Sequence, residues 1–272
     1  MAANQHRRYA IGAVALIIAV AGAGLFFWFT RDRDVIAAKD VVDASRADLQ
    51  SAASAPSEPA TTDNSPQTLV SQAKTGTVNV RWEHLTGAIT SSPYTSVPPP
   101  SDSDAATAAT FSVVDGLLPL GRPNPVHCLN DGKMPASSDD PDANFRFRIG
   151  TAEGRVSVAF DKPIRISQIN SYSWHVGTRA PQLYSVYGSI GEAAGFDPAP
   201  KLGIDPGGCG WTKIADVDTR SSDQKPGGRY GVSITDDSGT LGTYRYLLLR
   251  IFPTDPKDGG SQTFYSEIDV IQ

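Results

Sequence analysis

Cysteine is scarce in this chain: 272 residues contain two, Cys128 and Cys209. Neither belongs to a C-x-x-C pair, which removes the usual zinc and thioredoxin-type spacings. Neither lies near the N-terminus, so no lipid can be attached there through a cysteine. A basic surplus is also missing. Formal net charge is −5, and residues 1–76 are balanced, with Arg7, Arg8, Arg31, Arg33, Lys39, Arg46 and Lys74 against Asp32, Asp34, Asp40, Asp43, Asp48, Glu58 and Asp63. The whole negative balance therefore falls on residues 77–272. An acidic domain without a basic stripe is repelled by a phosphate backbone, so no nucleic-acid partner is expected. There is no G-x-x-x-x-G-K-[ST], no G-x-S-x-G and no H-E-x-x-H. Gly207-Gly208-Cys209-Gly210 is a glycine cluster without a phosphate loop. Asp140, Asp142 and Asn144 imitate the start of an EF-hand, but Phe145 stands where the loop needs Gly and Thr151 where it needs Glu. The histidines, His6, His84, His127 and His175, are far apart in sequence. No internal repeat is visible, and no window beyond residue 55 has helical periodicity.

What the chain does have begins with an apolar run. Ala10 to Phe29 is 20 residues without a charge, about 30 Å as a helix, the thickness of a bilayer's hydrocarbon core. Arg7 and Arg8 precede it, and the mixed-sign Arg31-Asp32-Arg33-Asp34 comes after it. This bias favours a cytoplasmic N-terminus. A cleaved signal peptide is the competing reading, with Ala19-Val20-Ala21-Gly22-Ala23-Gly24 as the cleavage region. Leu25-Phe26-Phe27-Trp28-Phe29 carries the apolar run past that patch, which favours an uncleaved anchor. The expectation is a single-pass plasma-membrane protein whose folded part is extracytoplasmic. Ala15, Ala19 and Ala23 would let two such helices approach.

Residues 1–9 then read as a cytoplasmic tail, 10–30 as the transmembrane helix and 31–76 as a flexible stalk rich in Ala, Ser, Thr and Pro. Val35–Ala53 could form a short helix within it. From Thr77 short β-type runs alternate with Gly, Pro, Asp and Ser clusters. The candidate strands are Val78–Trp82, Phe145–Ile149, Arg155–Phe160, Ile164–Ile169, Leu183–Tyr187, Trp211–Ala215, Tyr230–Ile234, Tyr244–Phe252 and Phe264–Ile271. Many short strands with regular turn signals predict an all-β antiparallel sandwich or jelly roll.

Three stretches carry a resemblance. They are Leu129-Asn130-Asp131-Gly132; Ser171-Tyr172-Ser173-Trp174-His175 running on through Arg179-Ala180-Pro181-Gln182-Leu183-Tyr184-Ser185-Val186-Tyr187-Gly188-Ser189; and Phe264-Tyr265-Ser266-Glu267-Ile268-Asp269-Val270. Their order and spacing resemble the discoidin, or coagulation-factor C-type, family with its galactose-binding-like jelly roll. Trp211-Thr212-Lys213-Ile214 and Tyr244-Arg245-Tyr246-Leu247 fit the same frame. The resemblance covers residues 111–272 and leaves 77–110 as an N-terminal extension of the sandwich, with room for an extra strand.

The resemblance implies a non-catalytic ligand-binding module. It also implies a structural calcium, held by the carboxylates of Asp131 and Glu267 with backbone carbonyls near Cys128, Lys133, Ala136 and Ser266. Such an oxygen set suits calcium. Ala136 departs from the family, which often has a hydroxyl residue there, and Asn130-Asp131-Gly132 taken alone reads as a tight turn. Trp174, His175 and Arg179 form the candidate ligand site, since an aromatic face stacks on a sugar and Arg and His donate to hydroxyls or acids. The competing role is packing, the commoner fate of a Trp after a strand. For Cys128 and Cys209 the alternatives are a disulfide, favoured by export and by their turn-forming neighbours, or two buried thiols.

Three functions stand as expectations: a module binding carbohydrate or another envelope component, an envelope assembly subunit docking a protein partner, and a hydrolase working through paired carboxylates, which could assemble only in three dimensions. The first ranks highest and the enzyme last.

Overall fold

In the strand around Val156, the residues Val156, Val158 and Phe160 are buried while Ser157 and Ala159 between them stay partly exposed. This is the period-two signature of a sheet with one face on a core. A computed structural model describes residues 76–86, 94–120, 126–221, 226–255 and 262–272. All lie within one unit, Thr68–Gln272. The cytoplasmic tail, membrane helix and stalk read from residues 1–76 fall, apart from Gly76, outside the described residues. Among the described residues no helix is long and apolar enough to cross a membrane.

Among the described residues, nine strands build two antiparallel sheets. One has the order β1 (Val78–Leu85), β7 (Gly228–Asp236), β4 (Gln168–His175), β9 (Tyr265–Ile271). The other has the order β2 (Thr110–Asp115), β3 (Gly154–Ile166), β8 (Gly242–Ile251), β5 (Leu183–Ser189), β6 (Thr212–Asp218). The main core lies between them and includes Val156, Val158, Ile166, Val186, Val232, Ile234, Leu247, Leu249, Ile268 and Val270. A smaller cluster, with Tyr187, Cys209, Trp211 and Leu248, covers the outer face of the five-stranded sheet. Leu247 and Leu249 face one way and Leu248 the other, so β8 is apolar on both sides.

Register fixes the two ends of the sandwich. Val78 pairs with Asp236, and Gln168 pairs with both Thr235 and Ile271. The first residue of β1 and the last of β9 therefore share one end. Leu85, His175, Gly228 and the start of β9 share the other. The extension at 77–110 supplies β1 and a segment, 94–109, that lies against β9. Ala105 N–H donates to Val270 O at 2.9 Å, and Ser101 N–H to Asp269 Oδ1 at 3.3 Å.

Several strand expectations change. Phe145–Ile149 is no strand: only Phe145 bridges, to Tyr265. Its alternation is real, with Phe145 and Phe147 buried, but Arg148 N–H donates to Leu117 O and the chain turns at Arg148–Thr151. Arg155–Phe160 and Ile164–Ile166 are one strand, β3, interrupted in register between Ala159 and Ile164. Pro163 lies in that interval and has no ladder donor. Gln168 and Ile169 belong to the next strand, after Ser167. Strand β2, which the sequence pattern did not reveal, hides in Thr110-Phe111-Ser112-Val113-Val114-Asp115 behind a small-residue loop. In β9 the alternation slips at Ser266, where a bulge lets Tyr265 face the core along with Ile268 and Val270.

The disulfide expectation is overturned. Cys128 and Cys209 are free and buried. Cys128 belongs to the main core and Cys209 to the cluster on the outer face of the five-stranded sheet, so the two thiols sit in different apolar compartments. Burial pushes the Cys128 thiol up to about 12, with the Asp131 and Glu267 charges adding to the shift. It behaves as a small apolar side chain.

Candidate functional site

Beyond Asp115 the chain leaves β2 through Gly116-Leu117-Leu118-Pro119-Leu120 and runs beside the turn that precedes β3. Arg148 N–H donates to Leu117 O at 2.8 Å, Thr151 N–H to Arg148 O at 3.1 Å, and Gln262 Nε2 to Thr151 O at 2.6 Å. These bonds bring three separate segments to one end of the sandwich. The cleft they form has a volume of about 200 Å³, and Leu120, Arg146, Arg148, Ile149, Arg179 and Gln262 are among its lining residues. It lies at the end opposite Val78 and Ile271.

The side chains are set by Phe264. Its ring lies 4.7 Å from the Arg146 guanidinium and 5.5 Å from that of Arg179, and His175 meets it edge-on at 4.8 Å between centroids. Each cation–π contact contributes about 0.5–2 kcal/mol, depending on desolvation. Phe264 itself is anchored, its N–H donating to Arg179 O at 2.9 Å and its carbonyl accepting from Trp174 N–H at 3.3 Å. Arg146 also donates to Pro141 O at 3.0 Å. The β4–β5 connection that carries Arg179 is held from below by buried Gln182. Its amide reaches Ser173 Oγ at 3.1 Å and Ser171 O at 3.3 Å, and its backbone N–H donates to Thr219 Oγ1 at 2.8 Å.

Of the three expected ligand residues, the structure brings one to the cleft wall. Arg179 lines it. His175 is adjacent and half-buried. Its Nδ1 accepts from Gly177 N–H at 2.9 Å, and its Nε2 stands 3.8 Å from Asp139. Burial lowers its pKa; Asp139 opposes that shift, while Arg179 and Arg146 add to it. Trp174 is only 6 % exposed. It lies on the outer face of the four-stranded sheet, like Tyr172 two residues earlier, and its packing role prevails over a stacking platform.

The expected calcium residues are partly assembled. Cys128 sits in a 3₁₀ turn, Val126–Asn130, beside β9. Asp131 comes next and caps its own loop, accepting from Lys133 N–H at 3.0 Å. Glu267 Oε2 accepts from Gly132 N–H at 2.6 Å. Gly132 has φ +72°, and a Cβ there would stand 2.6 Å from Asp102 N, so only glycine fits. Ser266 turns its hydroxyl to Asn144 Oδ1 at 2.9 Å, and Ala136 is exposed. Burial first, then the neighbouring Asp269 and Asp131 carboxylates, raise Glu267 to about 9; the Gly132 and Ile268 N–H groups only offset this. A buried carboxylate so crowded by other carboxylates has the chemistry of a cation ligand. Among the described residues no cluster of three or more His, Cys, Asp and Glu side chains could hold a metal by itself. Carbonyl oxygens would have to complete the set.

No family model matches this chain, and no curated protein matches it. Solved structures do resemble it. They include carbohydrate-binding modules. One is CpGH89CBM32-5 of Clostridium perfringens, in complex with GalNAc-β-1,3-galactose, at 11% identity and TM-score 0.39, covering 62% of this chain and 100% of that one. Another is the family 32 carbohydrate-binding module of Streptococcus pneumoniae EndoD, at 12% identity and TM-score 0.39, covering 62% and 99%. The GH29 fucosidase of Ruminococcus gnavus, in complex with fucose, matches at 13% identity and TM-score 0.35, over 64% of this chain and 27% of that chain. Superpositions this loose carry no functional argument, and the site must be judged on its own residues.

Those residues include several that sequence pattern alone did not single out: Arg146, Arg148, Ile149, Leu120 and Gln262. The signal for the first three was present in Phe145-Arg146-Phe147-Arg148-Ile149. Two arginines on the polar side of an alternating run mark a charged wall as readily as a solvated strand face. Gln262 and Leu120 gave no local signal, because only the tertiary fold brings them to the cleft.

Proposed function

We propose that this chain is a membrane-anchored, extracytoplasmic binding module of the galactose-binding-like jelly-roll type. Its ligand is a carbohydrate or another envelope component, and its role is not catalytic. The observation that carries this reading is the cleft at the end of the sandwich opposite Val78 and Ile271. A domain tethered through its N-terminus would present that cleft away from the bilayer. The lining supports binding over hydrolysis, since among the described residues it holds three guanidiniums and no carboxylate. The acidic side chains that do converge, Asp104, Glu267 and Asp269, are engaged elsewhere, with Val270 N–H, Gly132 N–H and Ser101 N–H as partners. A structural calcium belongs to the same proposal. Asp131 and Glu267 would hold it with neighbouring carbonyls, and the ion would supply the positive charge that buried Glu267 lacks.

The test is a glycan array probed with the full-length protein in neutral detergent. Arg179→Ala should weaken the signal while the melting temperature stays within a few degrees. Absence of any glycan signal would remove the carbohydrate reading.

One observation favours a second reading, docking of a protein partner. Leu117, Leu118, Leu120, Ile149 and Val176 are exposed, and among the described residues no large aromatic side chain is. Co-purification of a stoichiometric envelope protein, lost on Leu120→Asp, would support that alternative.

A further inference from the structure

We propose that the chain has a second saccharide site, a trough on the outer face of the four-stranded sheet that takes an uncharged sugar unit through its hydroxyls. The inference rests on the binding-module reading and goes beyond it, because the trough lies near the end of the sandwich where Val78 and Ile271 meet, opposite the cleft. Ile169, Val232 and Ile234 face the core, so Gln168, Asn170, Ser233 and Thr235 project from the other side of their strands. Register sets the side chains in two rows across three strands. Asn79, Thr235 and Gln168 form one row, and Arg81, Ser233 and Asn170 the next. The middle strand supplies short hydroxyl side chains and its neighbours longer ones, so the rows make a trough. A strap closes it on one side. The third row is Glu83, Gly231 and Tyr172. Thr95 and Ser96 N–H groups donate to the Glu83 carboxylate at 2.9 and 2.8 Å, and Tyr172 OH donates to Pro98 O at 2.6 Å. Tyr94 lies over Gly231, where a Cβ would stand 3.0 Å from its ring. Ser96 and Pro98 are thereby fixed as a wall.

The groups left over in the trough are of both kinds. The Arg81 guanidinium has no hydrogen bond or ion pair among the described residues, and it can only donate. The Ser233 and Thr235 hydroxyls, likewise without partners there, can donate or accept. Asn79 commits its Nδ2 to Thr77 O and Asp237 Oδ1, and Gln168 its Nε2 to Asn170 Oδ1 at 2.7 Å, so the carbonyl oxygens of both amides stay open to a donor. Asn170 is fully buried in the row of Ser233, and its Nδ2 has no partner, so that row lacks an acceptor. Sugar hydroxyls meet such a set because each one donates and accepts. An anion would use Arg81 but leave the amide oxygens unmet, and it would lie beside the Asp237 carboxylate that Asn79 holds. The volume, about 190 Å³, is below the ~300–1,000 Å³ of pockets for drug-sized ligands and suits one sugar unit. The Pro98 ring gives that unit an apolar edge to rest on.

The experiment is an array of neutral, carboxylated and sulfated saccharides, read as dose–response curves with the full-length protein in neutral detergent. Arg179→Ala, which disables the cleft, should leave a subset of neutral saccharides bound. Adding Arg81→Ala should weaken those about tenfold or more, the effect of losing one hydrogen bond to a charged group. Arg81→Ala in the otherwise unchanged protein should weaken the same subset. Thr235→Phe, which fills the trough, should abolish it. Arg165→Ala, exposed on β3 in the other sheet, should leave every signal as it was. Should Thr235→Phe lower the melting temperature, Arg81→Ala decides alone, since Arg81 is exposed. Loss of every signal in Arg179→Ala at an unchanged melting temperature overturns the inference and leaves a binding module with one site. Surviving signals that are all anionic, or neutral ones indifferent to Arg81→Ala, overturn it in the same way. No saccharide bound by the unmodified protein overturns both.

Discussion

Glu267 and Asp269 project from β9 onto the outer face of the four-stranded sheet, and both are buried. Burial and adjacent carboxylates raise Glu267 to about 9. Burial, with the Asp104 carboxylate second, raises Asp269 as well. Folding therefore keeps protons that the unfolded chain would release. The associated stability is complete below the ordinary value of 4.5 for Glu267 and is lost as pH climbs through about 9. In the presence of EDTA the melting temperature should fall between pH 5 and pH 9, and Glu267→Gln, which stays neutral and still accepts from Gly132, should flatten part of that fall. An identical melting temperature at the two pH values would refute the assignment. A calcium held there as proposed would compete with those protons. The stabilising shift from that proposed ion should be small at pH 5, grow towards pH 9 and vanish in the Gln variant. Trp174 makes a different case. At 6 % exposure it is structural, so Trp174→Ala should destabilise by about 3–5 kcal/mol in chemical denaturation, with ligand affinity per folded molecule unchanged.

Among the elements, legibility in the sequence tracked burial. Strands with one face on the core, such as Val156-Ser157-Val158-Ala159-Phe160, declare themselves by alternation, and β8 by its unbroken apolar run. Where turns or bulges interrupt pairing, the same pattern misleads: Phe145–Ile149 alternates because Phe145 and Phe147 fill the core, yet only Phe145 pairs with a strand, at Tyr265, and Arg148 bonds to the loop at Leu117. The loop-borne cleft was the least legible feature, because its residues come from four segments joined only by tertiary hydrogen bonds. One long loop, though, has a strap that can be tested. Arg155 is fully buried, donating to Pro200 O and Ile204 O at 2.8 Å each. Glu153 pairs with it at 2.7 Å and with Arg250 at 2.8 Å, and those two arginines lower the Glu153 pKa against its burial. Removing one partner leaves a buried charge uncompensated, which costs about 3–5 kcal/mol. Glu153→Gln should therefore lower stability markedly and raise hydrogen exchange across residues 196–210, which Arg155 pins to the sheet. Unchanged exchange there would mean that Phe196 and Trp211, packed at 5.3 Å, hold the loop without it.

For the whole molecule, the register places the start of β1 and the cleft at opposite ends, and on the proposed membrane anchoring a tether before β1 would govern how far the cleft reaches. Were the proposed stalk, 31–76, a coil, its root-mean-square span would be about 40 Å at ~6 Å × √n. The sandwich itself is about 30 Å long for strands of eight to ten residues. The stalk would thus determine access to ligands in a cell wall or on a neighbouring surface, and not the strength of binding to a soluble one. Deleting residues 41–70 should leave the affinity for a soluble oligosaccharide within about twofold if the described lining residues, 119–120, 146–149, 179 and 262, suffice for binding. If the proposed anchoring holds, the same deletion should reduce capture of polysaccharide-coated beads by vesicles carrying the full-length protein, because a shortened tether would hold the cleft closer to the bilayer. Loss of soluble affinity on deletion would mean that the stalk contributes to the site. Undiminished bead capture would mean that reach is not what the stalk supplies.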